Sequence, residues 1–71
     1  MDDIQILEAA SAIRRYLAAH PGAGDTDVGV HAWWVGWVGI EPPLDVTRAA
    51  LAQLESRGEA RCVYGIWQRA A

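Results

Sequence analysis

A chain of 71 residues, 52% hydrophobic and 21% charged, has room for one core and lies far from the compositions that stay disordered. Its net charge of −3 excludes the basic footprint of a general nucleic-acid or anionic-membrane binder, though a local basic patch stays open. A single cysteine, Cys62, cannot close an internal disulfide. The start Met1-Asp2-Asp3 lacks the basic run of a signal peptide, and no apolar run reaches the roughly 20 residues that span a bilayer. These features predict one domain over residues 1–71, a cytoplasmic location and no membrane partner. All the cations are arginines, at 14, 15, 48, 57, 61 and 69. Asp2, Asp3, Glu8, Asp25 and Asp27 face only Arg14 and Arg15 in the first forty residues, so the negative charge sits in the N-terminal half.

Asp2 or Asp3 can cap a first helix at the positive end of its dipole. Ile6, Ala9, Ala10, Ile13, Tyr16 and Leu17 then follow a 3.6-residue period, giving an amphipathic helix of about 16 residues. His20-Pro21, Gly22 and Gly24 stop it. Asp25 or Thr26 caps a second helix that ends near Gly36, and within it Gly29 reads as a site where helix 1 approaches closely. Val30, Trp33, Trp34 and Trp37 fall at i, i+3, i+4 and i+7, one apolar stripe on this helix. Trp33 to Ile40 also alternates as a strand would, so both readings stand. After Gly39, Pro42 and Pro43, a third helix opens with Pro43 in its first turn. It buries Val46, Ala49, Ala50, Leu51 and Leu54, and Gly58 closes it. Residues 59–69 read as a hairpin turning at Tyr64-Gly65, with Val63 opposite Ile66 and Cys62 opposite Trp67. On that register Ala60, Cys62 and Trp67 cover the core.

The predicted class is therefore mainly α with a small β-hairpin. The run from Val46 to Ala60, with its Ala50-Leu51 pair, Leu54 three residues on and the helix-ending Gly58, resembles the third helix and wing start of bacterial winged-helix regulators. The resemblance covers residues 43–69 and implies a three-helix winged-helix-like domain. The run His20 to Trp34 is similar to small bacterial proteins and carries no activity with it. The regulator family reads a DNA major groove with the outward side of its third helix, which here implies Thr47, Arg48 and Gln53, with Ser56 at its end, and wing phosphate contacts from Arg61 and Arg69.

The acidic balance, the short wing and the excess of large apolar side chains point elsewhere. A domain this small buries only about 60% of its unfolded surface, and each tryptophan ring offers about 150–250 Å². One or two rings are thus expected at a contact with a protein partner or a second copy, at Trp33, Trp37 and Val38, with Trp37 as the exposed anchor and Trp33 or Trp34 as the core ring. An adaptor or accessory module is the expected function, and a DNA-binding regulator is the alternative. Asp27 and His31, four apart, suggest no third metal ligand, so no metal or cofactor is expected. Cys62 is read as a buried, inert thiol without a base beside it, and no phosphate loop or catalytic triad is legible, so no enzymatic activity is expected.

Overall fold

The computed structural model of the chain describes residues 3–36 and 42–70. Helix α1 (Asp3–Ala19) is followed by a two-residue strand, β1 (Gly24–Asp25). Helix α2 (Asp27–Gly29) runs straight into a π-helical segment (Val30–Val35). Helix α3 (Leu44–Ser56) leads to the hairpin β2 (Ala60–Val63) and β3 (Ile66–Arg69). The fold is mainly α with a small antiparallel sheet, in which the order β1-β3-β2 puts β3 in the middle.

Each long helix forms where its apolar period and its end signals agree. From α1 come Ala9, Ala10, Ala12, Ile13 and Leu17, and from α3 Val46, Ala50, Leu51 and Leu54, all buried. Alanines at the crossing let the two helices pack closely, and Ile6, Tyr16, Ala23 and Trp67 cover the edges of the shared core. Helix α3 begins at Leu44 with Pro43 as its N-cap residue, one position before the sequence places it. At its other end Gly58 adopts φ +72°, donating to Glu55 O (3.0 Å), while Glu59 N–H donates to Leu54 O (2.9 Å). This pair of bonds satisfies two of the helix's last carbonyls in the Schellman manner.

The second helix starts where predicted. Thr26 is its N-cap, accepting a hydrogen bond from Gly29 N–H (3.1 Å). Its interior departs from the expected stripe. Gly36 N–H bonds to His31 O, an i→i+5 step, so residues four and five apart share a face rather than three and four. Val30, Trp34 and Val35 are buried, while Trp33 is turned away from the core and 69% exposed. The one-face reading of Val30, Trp33 and Trp34 is therefore corrected at Trp33. Trp33 to Gly36 is helical, not a strand. Trp37, Val38 and the rest of that stretch to residue 41 lie outside the described residues, as does Asp2. Gly29 does not mark the approach of α1. A Cβ there would run into the Asp25 carboxylate, which already accepts a hydrogen bond from Thr26 N–H (2.8 Å).

The hairpin has the predicted register, Cys62 opposite Trp67 and Val63 opposite Ile66. Strand β1, too short to show any alternation, adds Gly24 opposite Gln68 and Asp25 opposite Trp67. Ala60 is buried and Trp67 half-buried, as that register requires. Cys62 shares their face but is exposed, because the hairpin reaches past the core beyond Ala60. The reading of Cys62 as a buried thiol is corrected accordingly.

Candidate protein-binding surface

The outward side of the second helix carries Trp33, the largest of the exposed apolar side chains among the described residues. Trp33 stands there with Val28, 55% exposed, and Ala32, also exposed. Val28 and Ala32 are four residues apart across the α-to-π junction, so they line up along the helix with Trp33 beside them. The backbone beneath is held firmly. Trp34, the next residue, is 2% exposed and stacks on Tyr16 of α1 with ring centroids 4.9 Å apart and planes at 11°.

Two polar contacts fix this helix to α3. His31 Nδ1 and Thr47 Oγ1 share a hydrogen bond of 2.7 Å, and Arg48 Nε donates to Asp27 Oδ2 at 2.7 Å. The hydrogen bond from Arg48 holds the Asp27 carboxyl below the ordinary aspartate range, with a smaller contribution from Val28 N–H. His31 and Asp27, the pair four residues apart, thus face different partners. Among the described residues no group of three His, Cys, Asp or Glu side chains is arranged to hold a metal ion.

The residues read from the winged-helix resemblance are scattered rather than gathered. Thr47 is fully buried against His31, which removes it from any outward reading face. Its polarity made it look like a surface residue, but the imidazole supplies the partner its hydroxyl needs inside. Arg48 is exposed and engaged by Asp27. Gln53 is half-buried, with its Oε1 enclosed and without a hydrogen-bond partner among the described residues. Ser56 is exposed at the end of α3. Arg61 and Arg69 are both exposed, but pairing of Arg61 with Gln68 and of Ala60 with Arg69 puts the two arginines on opposite faces of the hairpin. Of the residues expected at a protein contact, Trp33 is at the surface, and Trp37 and Val38 lie outside the described residues.

Sequence reasoning missed Val28 and Ala32, since neither belongs to a 3.6-residue apolar stripe. It also missed a second ion pair, in which Arg14 of α1 forks onto Glu59 before β2 through Nε to Oε1 (3.1 Å) and Nη2 to Oε2 (2.9 Å). These bonds, set 45 residues apart, hold Glu59 below and Arg14 above their ordinary titration ranges. No helix among the described residues is long and apolar enough to cross a membrane. Comparison with protein-family models, with curated proteins and with solved structures gave no match to this chain.

Proposed function

We propose that the chain is a small protein-binding module of winged-helix arrangement whose contact surface is centred on Trp33. The arrangement is supported by the element order: three helices, then a hairpin, with a short strand between the first two helices completing the sheet. The function rests on one observation, that Trp33 is 69% exposed beside Val28 and Ala32 on a helix anchored by Trp34. Tryptophan is among the residues most enriched at binding hot spots, and a ring presented from a rigid helix loses little conformational freedom on association.

The outward side of α3 favours this reading over DNA recognition. It presents Asp45, Ala52, Glu55 and Ser56, all exposed, and its one arginine before the C-cap, Arg48, is already paired with Asp27. Such a face would meet phosphates with net negative charge. The test is sedimentation velocity of the parent and of Trp33→Ala, with capture of partners on the tagged protein, and a titration of duplex DNA at low salt. Loss of self-association or of a captured partner in Trp33→Ala, with an unchanged melting temperature, is the expected result. A variant that associates like the parent would sink the proposal. Submicromolar, sequence-dependent DNA binding would replace it with the regulator reading.

A further inference from the structure

Helices α1 and α3 end side by side, and β3 runs up to meet them. Between them lies a cavity of about 440 Å³ whose lining includes Leu17, Ala18, Leu54, Arg14, Glu59 and Arg69. That is within the range of about 300–1,000 Å³ of small-molecule sites. Its apolar side comes from the last turns of both helices. The charges that line it do not balance. Arg14 and Glu59 are forked onto each other and cancel. The Arg69 side chain makes no ion pair or hydrogen bond among the described residues. Helix C-termini usually repel anions, but at the end of α3 the Leu54 and Glu55 carbonyls already accept from Glu59 and Gly58 N–H. In a chain of net charge −3, one uncompensated guanidinium beside an apolar hollow is a local excess of positive charge.

We propose that this cavity binds a carboxylate carrying a short apolar chain. The Arg69 guanidinium takes the carboxylate in its planar fork, and Leu17, Ala18 and Leu54 take the chain. A carboxylate fits better than a phosphate dianion because the site offers one free unit of positive charge and a geometry matched to two coplanar oxygens. The same chemistry is presented by a free medium-chain acid and by the C-terminus of a peptide ending in an apolar residue. The site shares no residue with the Trp33 surface, so either can fail while the other stands.

Isothermal titration and backbone amide NMR of the full chain test it with two pairs of probes. One pair is octanoate and octylamine. The other is the peptide acetyl-Ala-Ala-Leu with a free carboxylate, and the same peptide as its amide. At least one acid should bind at least tenfold more tightly than its uncharged or cationic counterpart, and should shift the amides of Leu17, Leu54, Gly58 and Arg69. Which acid does so identifies the source. Arg69→Gln should weaken that binding at least tenfold, whereas Arg61→Gln, the same charge change on the other face of the hairpin, should leave it unchanged. The proposal is overturned if neither acid binds, if acid and counterpart bind alike, or if Arg69→Gln binds like the parent. The counterpart comparison uses the parent chain alone, so it stands whatever the variants do to folding.

Discussion

Trp34 lies flat on Tyr16, with 4.9 Å between ring centroids and 11° between ring planes, and Tyr16 in turn meets His20 at 4.6 Å. This stack joins the second helix to α1 and fixes the rotation of the segment that presents Trp33. Adjacent tryptophans in one chain thereby take opposite roles, one as core and one as surface.

Truncating the two rings should separate those roles. Trp34→Ala removes a ring that is 2% exposed and should cost about 3–5 kcal/mol, a large share of the roughly 5–10 kcal/mol open to a small domain. Trp33→Ala should stay within about 0.5 kcal/mol of the parent, as surface changes do. Urea unfolding of both variants measures this. A Trp33→Ala midpoint as low as that of Trp34→Ala would place Trp33 in the core after all.

The same pair shows what the sequence could and could not convey. Helices α1 and α3 were legible because their apolar residues keep the α-helical period from end to end and their stop signals fall where the period stops. In the second helix the end signals were equally clear, Thr26 at the start and Gly36 at the end. The hydrogen-bond step between them was not. Nothing in Val30-His31-Ala32-Trp33-Trp34-Val35 announces i→i+5 bonding, which follows from how Trp34 and Val35 both reach the core. Thr47 failed for another reason: whether a threonine points inward depends on a partner 16 residues away, His31, that only tertiary structure brings close. The hairpin's register was readable because the turn length sets it, but how far the core extends beneath Cys62 is a property of the assembled helices.

The His31–Thr47 bond leads to a second prediction. Thr47 is fully buried and its hydroxyl has this one partner on the second helix. Thr47→Val keeps the volume and strands the half-buried Nδ1 of His31, so it should cost about 1–2 kcal/mol. His31→Leu combined with Thr47→Val should cost less than the sum of the two single changes, because no polar group is then left unpaired. Additive costs in chemical denaturation would mean that the bond contributes nothing to folding.

Acid should weaken the fold through two carboxylates. Hydrogen bonds from Arg48 and Arg14 lower the titration of Asp27 and Glu59 respectively in the folded chain. A group with a depressed folded pKa contributes its stability above its unfolded value, about 3.9 for Asp and 4.3 for Glu, and loses it as the pH falls through the lower folded value. Both pairs are solvent-exposed, so the effect should be small and should shrink further in high salt. Thermal melts of the parent should therefore be flat from pH 7 to 5 and fall below about pH 4. Glu59→Gln should show a shallower acid decline. An acid decline of equal depth in Glu59→Gln would assign the loss to other groups.

The turn of the hairpin offers a gain rather than a loss. Tyr64 and Gly65 have φ of +52° and +78°, the two positive angles of a type I′ turn, which matches the twist of the strands on either side. Glycine adopts that conformation at no steric cost, whereas a tyrosine in the left-handed region pays for its Cβ. Nothing in the fold offsets that strain, since the Tyr64 side chain is fully exposed. Asparagine is the residue that best tolerates the first position of this turn. Tyr64→Asn should thus stabilise the domain by about 0.5–1 kcal/mol, within the usual gain from removing a strained turn residue. Tyr64→Val, which puts a β-branched side chain at the same positive φ, should lose at least as much. Chemical denaturation of the two variants beside the parent reads both signs. If Asn and Val shift stability in the same direction, the turn is not where the hairpin stores its strain.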